Sequence, residues 1–427
     1  MSARIAVIGT GYVGLTTGVC LAELGHSVVC ADIDADKVAQ LAAGQMTIVE
    51  DGLDALLASG LASGRLSFVV GAATAVADAE IVFLCVPTPQ GSDGSADLTY
   101  IEAASAEIGP TLLPGAIVVN KSTVPVGSTR AVERVIQRSD VRVVSNPEFL
   151  REGSALRDFM QPDRVVVGAD DRAAAERVAA LYASLGARTI ITDPASAETI
   201  KYAANAFLAT KLSFVNAIAA ICEGVGADIS DVIDGIGSDS RIGAAFLQPG
   251  PGWGGSCFPK DSRALVKIAE DAGYEFDLLR GVITVNDQQL DRMAHKIAST
   301  VGGSLEGRTV AVWGLTFKAG TDDLRESPSI AVISRLVAAG AHVVAHDPTV
   351  ASRRPGVPSH IEIATSATAA CLGADVLCVL TEWPLYRDVS PADVAEVMTG
   401  RSVVDTRNLL DRPTWAAAGF THVGVGR

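Results

Sequence analysis

Short apolar runs alternate with amphipathic stretches along the 427 residues of the chain. Residues 4–9, Arg-Ile-Ala-Val-Ile-Gly, predict a buried strand. A helical stretch then runs to about Leu24, and a second strand over Val28–Ala31 ends at Asp32. Further strand runs at Ile81–Val86, Ile117–Asn120 and Val141–Ser145 are separated by helical segments, which predicts a parallel sheet covered by helices. From Asp193-Pro194 a nearly apolar helical stretch extends to about residue 223, capped by the Asp and opened by the Pro. Such a helix is expected to be buried on most sides, as a spine between domains or within a subunit interface. Helices over about 261–272 and 277–300 lead to a Gly302-Gly-Ser linker. A second α/β unit follows, with strands at Thr309–Lys318 and Ala341–Asp347 and a helix after Ser327-Pro328.

The first strand opens into Gly9-Thr-Gly11-Tyr12-Val13-Gly14, and Asp32 ends the next strand eighteen residues past the third glycine. In that setting the motif is a dinucleotide-binding fingerprint. Gly9 makes the tight turn, Gly11 lets the backbone reach a pyrophosphate, and Gly14 permits close helix packing. Asp32 would accept ribose hydroxyls and repel a 2′-phosphate, which favours NAD over NADP. The second unit lacks the glycines and is expected to hold something other than a second dinucleotide. The fold expected is α/β, two Rossmann-like doubly wound parallel-sheet domains joined by a long central helix. The domains would be residues 1–193, 194–300 and 301–427.

Composition narrows the function classes. A formal net charge of −15 argues against a nucleic-acid groove, so an anionic substrate must be met by locally placed cations. The mean hydropathy of +0.32 is high, but no uninterrupted apolar run is expected to span a membrane. The chain begins directly on a strand, which points to a cytoplasmic protein. Seven cysteines without paired spacing, and scattered histidines, indicate neither a disulfide framework nor a metal site.

One cysteine stands apart. The stretch Gly250-Pro-Gly-Trp253-Gly254-Gly-Ser-Cys257-Phe-Pro-Lys260-Asp261 puts four glycines in six residues just before Cys257. Such a backbone can approach a ligand closely, and Lys260 nearby could favour a thiolate nucleophile. On the 194–223 helix, Lys201 and Asn205 are four apart and share a face, where a lysine is costly unless paired or functional. The loops after the strands carry Thr88, Thr123, Glu148 and Glu152, and beyond the carboxyl ends of the strands they should line one crevice. Lys318, Arg325 and Arg407 fall at strand ends of the second unit, where cations suit a diphosphate or a cofactor ribose.

With these pieces in order the chain resembles the UDP-glucose/GDP-mannose dehydrogenase family over essentially its whole length. The matching segments are Gly9-x-Gly-Tyr-Val-Gly14, Val86-Pro-Thr-Pro, Lys121-Ser-Thr-Val-Pro, Asn146-Pro-Glu-Phe-Leu-Arg-Glu-Gly, Lys201-Tyr-Ala-Ala-Asn, Arg241-Ile-Gly, Gly254-Gly-Ser-Cys-Phe-Pro-Lys-Asp261 and Phe317-Lys…Arg325-Glu-Ser. The resemblance implies a four-electron oxidation of a nucleotide sugar, C6 alcohol to carboxylate, with two NAD reduced in turn. It makes Cys257 the nucleophile, Lys201 and Asn205 the oxyanion donors, Thr123 and Asp261 positioners of water, and Glu148 and Glu152 acid/base groups or orienters of Lys201.

It further implies that Tyr12, Val13, Lys37, Thr88, Thr123, Glu152, Lys260 and Arg325 lie at the NAD. The sugar nucleotide would be cradled by Phe149, Leu150, Arg151 and Glu152, by Lys201 and Asn205, and by residues from Phe246 through Gly250 to Gly254. Lys318 and Arg407 would meet the diphosphate, and Arg241 would reach the sugar of a neighbouring subunit. That shared site implies a homodimer or a higher homo-oligomer. The Ser-Cys-Phe-Pro-Lys-Asp loop resembles the UDP-glucose type more than the His-Cys-Ile-Pro-Val-Asp type of amino-sugar enzymes. GDP-mannose enzymes, with Gly-Gly-Ser-Cys-Leu-Pro-Lys-Asp, remain the alternative. Trp253 departs from the usual phenylalanine, which puts fine nucleotide contacts in question. A two-electron hydroxyacid dehydrogenase and a non-catalytic nucleotide-sugar sensor are the other readings of such a chain.

Overall fold

The structure is a computed structural model that describes residues 2–91, 94–352 and 355–427. Its strands are β1 (Arg4–Ile8), β2 (Ser27–Asp32), β3 (Leu66–Val70), β4 (Ile81–Leu84), β5 (Ile117–Asn120), β6 (Arg142–Ser145), β7 (Arg164–Gly168) and β8 (Arg188–Thr192) in a first sheet. A second sheet holds β9 (Thr309–Trp313), β10 (His342–His346), β11 (Ile361–Ile363), β12 (Val376–Val379), β13 (Ser402–Asp405) and β14 (Thr421–Val423). The first is ordered β3-β2-β1-β4-β5-β6-β7-β8 and is parallel except where β6 meets β7. The second is ordered β11-β10-β9-β12-β13-β14 and is parallel throughout. Counted from its own first strand, each sheet contains the order 3-2-1-4-5-6, the doubly wound arrangement expected from the sequence.

Both faces of each sheet are covered, so the strands read as continuous apolar runs rather than alternating ones. Along β5, Ile117 and Val119 enter one core while Val118 enters the core on the opposite face. In the second sheet Val310 and Val312 pack on one side and Ala311 and Trp313 on the other.

The chain divides into two compact units, residues 1–204 with 263–274, and residues 205–262 with 275–427. A single helix, Pro194–Val225, gives its first part to one unit and the rest to the other. It is long and apolar enough by length and composition to cross a membrane, although Lys201, Asn205, Lys211 and Asn216 interrupt its apolar run. Its first turns carry buried polar side chains. Glu198, Lys201 and Asn205 are all buried and each meets a partner from the same chain. The helix after Cys257 begins at Phe258, three residues earlier than the periodicity predicted. Pro259 fits the first turn, where its missing N–H has no intrahelical partner to lose, and Asp261 suits the positive end of the helix. Cys257 is thereby placed at the helix start.

Candidate active site

The first unit builds a dinucleotide cradle from its glycine turn. A Cβ at Gly14 would lie 1.9 Å from the carbonyl oxygen of Gly9, so only glycine lets the helix Tyr12–Glu23 start against the turn. A Cβ at Gly11 would meet nothing within 4 Å, which leaves open space above the helix start for a pyrophosphate. Asp32 lies at the end of β2, as the fingerprint requires. Its Oδ2 accepts from the Thr10 amide at 2.9 Å, the Thr10 hydroxyl at 2.6 Å and Lys37 Nζ at 3.0 Å. Burial alone would raise its pKa, but these hydrogen bonds outweigh it and hold the carboxyl at about 2. The cradle therefore presents a permanent negative charge beside open backbone, which fits NAD.

The loops beyond β4, β5 and β6 belong to the same unit. The Thr88 hydroxyl donates to the Thr123 carbonyl at 2.9 Å, joining two of the expected site residues. Glu148 is buried, not solvated: its Oε1 accepts from Lys201 Nζ at 2.8 Å and its Oε2 from the Leu150 amide at 2.6 Å. Each side chain of that ion pair is 4 % exposed. Removing either partner would leave an uncompensated buried charge, at a cost of about 3–5 kcal/mol. Phe149 lies under both Lys201, 5.6 Å from its ring centre, and Arg164, at 3.7 Å. Glu152 is half-buried, and Arg151 is held bidentately by Asp158.

Two acids that the sequence reading passed over hold these loops in place. Glu198, 2 % exposed, accepts from the amides of Gly127 and Thr129 and from the Thr129 hydroxyl, tying the loop after Thr123 to the long helix. Glu50 is also buried; it accepts from the amides of Gly153 and Leu156 and from the hydroxyl of Tyr12. It thus links the Glu152 loop to the glycine turn. Glu198 had a visible signal, since it precedes Lys201 by three on an otherwise apolar helix. Glu50 had none, because an acid beside Asp51 in a connection looks solvated in the sequence.

In the second unit, Asn205 Nδ2 donates to Asp261 Oδ2 at 2.6 Å, and Lys260 Nζ donates to Asp261 Oδ1 at 2.7 Å. Asp261 is 1 % exposed. Cys257 immediately precedes the helix that carries both, and its carbonyl accepts from the Asp261 amide at 2.9 Å. It is half-buried, whereas the other six cysteines are buried. A helix start favours negative charge on a thiol placed there.

The glycine loop before Cys257 is clamped by side chains on two helices. Asn216 Oδ1 accepts from the Gly250 amide, Gln289 donates to the Gly250 carbonyl, and Asn286 bonds both the amide and the carbonyl of Trp253. Trp253 is buried, its indole donating to Ser213 Oγ at 2.8 Å. Its departure from phenylalanine is therefore answered by a hydroxyl on the long helix. A Cβ at Gly254 would lie 1.9 Å from the Glu326 carbonyl oxygen, so the close approach of that strand-end loop excludes any other residue.

The expected substrate cations are positioned differently from one another. Arg407 is half-buried and donates to the carbonyls of Leu380 at 2.9 Å and Phe317 at 3.2 Å, with Glu382 at 3.0 Å. A Cβ at Gly250 would lie 3.0 Å from its guanidinium. Lys318 lies 5.6 Å from the ring centre of Phe317. Arg241 and Arg325 are exposed and fork onto Asp239 and Asp323, each two residues earlier. Phe246 has φ of +62° and lies 6.2 Å from Phe258, centre to centre.

The second unit repeats the fold of the first without its opening. Where the first has Gly11, the second has Thr316, fully buried. Where the first has Asp32, the second has Asp347, 2 % exposed. Asp347 accepts from the amides of Leu315 and Thr316 and from the indole of Trp383. Its other oxygen accepts from the amide and the hydroxyl of Thr349, so both oxygens are engaged and little is left for a ribose.

The chain is similar to known proteins over nearly its whole length. Models of the UDP-glucose/GDP-mannose dehydrogenase family match in three parts. The NAD binding domain matches residues 3–186, the central domain 195–288 and the UDP binding domain 311–412. A UDP-glucose 6-dehydrogenase of Rhizobium meliloti is 45 % identical over 99 % of this chain and 99 % of its own. One from Pseudomonas aeruginosa is 45 % identical over 99 % of this chain and 97 % of its own. Among solved structures, a UDP-glucose dehydrogenase from Pyrobaculum islandicum superposes with a TM-score of 0.89 at 38 % identity, covering 97 % of this chain and 98 % of that one.

Proposed function

Because the chain belongs to the UDP-glucose/GDP-mannose dehydrogenase family, we propose that it is an NAD-dependent UDP-glucose 6-dehydrogenase acting in the cytoplasm. The observation that carries the reading is Cys257: the one half-buried cysteine, at a helix start, on a loop clamped from below. Bound NAD supplies the hydride acceptor, twice for each sugar. In the first oxidation the C6 alcohol loses a hydride and a proton and becomes an aldehyde. The Lys201 ammonium and the Asn205 amide donate hydrogen bonds to the alkoxide as charge develops on it. Cys257 Sγ then adds to the aldehyde carbon to give a thiohemiacetal, which keeps the half-oxidised sugar on the protein. Loss of a second hydride leaves a thioester. Water, positioned by Asp261 and Thr123, breaks the C–S bond and returns the thiol. One alcohol, two NAD and one water thus give a carboxylate, two NADH and three protons.

The reading includes a homodimer. The long helix exposes Phe207, Phe214 and Ile221 at seven-residue intervals, and then Val225, in a single apolar stripe. A seven-residue repeat is the spacing at which one helix packs along another, and a second copy of this chain would cover it. On this reading Arg241 reaches the sugar held by the partner.

Incubation of the purified protein with UDP-glucose and NAD should give two NADH per sugar and no free aldehyde. One NADH per sugar, with aldehyde released, would refute the covalent route. GDP-mannose and UDP-N-acetylmannosamine run beside it test the choice of sugar.

A further inference from the structure

Lys121, directly after β5, is a buried cation to which the proposed chemistry gives no part. It is 5 % exposed. Its amine donates to Asn146 Oδ1 at 3.1 Å and to the Tyr182 hydroxyl at 3.4 Å. Tyr182 donates in turn to Asn146 Oδ1 at 2.7 Å, and the Asn146 amide donates to the Val166 carbonyl at 2.7 Å. Both partners of the ammonium are neutral, and a buried charge held by neutral oxygens is costly. A lysine that served packing alone could be replaced by methionine at no such cost.

The groups facing Lys121 come from every element around it. Glu148 attracts its charge from the loop after β6, Lys201 repels it from the long helix, and Cys85 faces it from the end of β4. Tyr182 lies under the amine, 5.4 Å from ring centre to nitrogen. Asp158 and Arg164 share with Lys121 and Glu148 the wall of a small cleft. Asp158 is already occupied by Arg151. Burial, the largest influence, brings the Lys121 ammonium down to about 8, with Cys85 and Glu148 opposing and Lys201 adding to the fall.

We propose that Lys121 is a positioning residue for the Glu148–Lys201 pair. Its positive charge attracts Glu148 and, by repelling Lys201, makes that ammonium a stronger hydrogen-bond donor to the developing alkoxide. The inference rests on the reading that Lys201 performs that donation. It adds a second lysine whose charge, not its shape, matters to turnover.

The test compares full-length Lys121→Met and Lys121→Arg with the parent, measuring kcat against pH with UDP-glucose and NAD. Lys121→Met should lose about tenfold or more in kcat near neutrality, and both limbs of its pH profile should move up by about half a unit or more. Lys121→Arg, which keeps the charge, should keep the limbs where the parent has them. Limbs of Lys121→Met that coincide with the parent's would overturn the proposal, whatever its kcat or melting temperature. If Lys121→Met does not fold, limbs of Lys121→Arg displaced by about half a unit or more overturn it instead. Lys201→Met separates the two claims. If that variant is inactive while the Lys121→Met limbs stay put, only the role of Lys121 falls. If Lys201→Met turns over normally, the reading of Lys201 falls, and the role of Lys121 with it.

Discussion

At the scale of single residues, burial sorts the cysteines. Burial pushes the thiols of Cys20, Cys85 and Cys371 up to about 12, and those of Cys30 and Cys378 higher still, so none of these is a thiolate near neutrality. Cys257 alone is half-buried. Cys257→Ser should lower kcat on the order of 10³-fold or more while leaving NAD affinity, read by fluorescence titration, unchanged. Wild-type turnover in that variant would favour a thiol-independent two-electron enzyme. Asp32 allows a pH test. Its folded pKa, about 2, lies below the unfolded value of about 3.9, so its ionised form stabilises the fold at all pH above the unfolded value. That contribution is lost as pH falls through about 2. Asp32→Asn should therefore be less stable than the parent at pH 7, and the gap in denaturation midpoint should narrow by pH 2.5. An equal gap at both would refute the assignment. Cys257 and Asp32 were legible in the sequence because each stands at a motif that fixes its surroundings. Glu50 was not, since an acid in a connection looks the same whether solvated or buried.

At the scale of elements, the long helix organises three attachments along one face. Glu198, Lys201 and Asn205 follow at intervals of three and four and bind the loop after Thr123, Glu148 and Asp261 in turn. Glu198→Ala would strand three donors that now share one carboxylate. It should cost about 2 kcal/mol or more, measured by chemical denaturation. A loss below about 0.5 kcal/mol would mean that the loop is held by other contacts. The exposed stripe on the same helix gives a separate test. Phe214→Asp with Ile221→Asp should yield monomers in sedimentation velocity if a second copy covers the stripe, and an unchanged dimer would place the interface elsewhere. The sequence showed the helix and its apolar character, but not which apolar residues face outward. That depends on which side of the helix the rest of its own unit packs.

At the scale of the whole molecule, one topology is used twice with opposite results. Both sheets carry the strand order that opens a crevice at the carboxyl ends of their first and fourth strands. In the first unit Gly11 leaves that crevice open and Asp32 faces it. In the second, Thr316 and Trp383 are bonded to the matching acid, Asp347. Calorimetric titration should accordingly find one NAD site per chain. NAD at a hundredfold excess over its Kd should stabilise the fold by about 2.7 kcal/mol, and NADP at the same concentration by far less. Two equivalent sites per chain would contradict the closure of the second unit.

The local order of residues was enough for the strand–turn–helix–strand fingerprint, the long helix, the doubly wound class and the singular cysteine loop. Each depends on spacings of a few residues that backbone geometry translates directly. Folding was needed to bring Glu148 under Lys201, Asn205 onto Asp261 and Asn216 onto Gly250, pairs separated by 53, 56 and 34 positions. Such pairings follow from how sheets and helices pack, and nothing in the spacing of residues along the chain encodes that. The same holds for Lys121, which in the sequence is one more lysine after a strand. Only enclosure among Asn146, Tyr182 and Glu148 turns it into a charge with consequences.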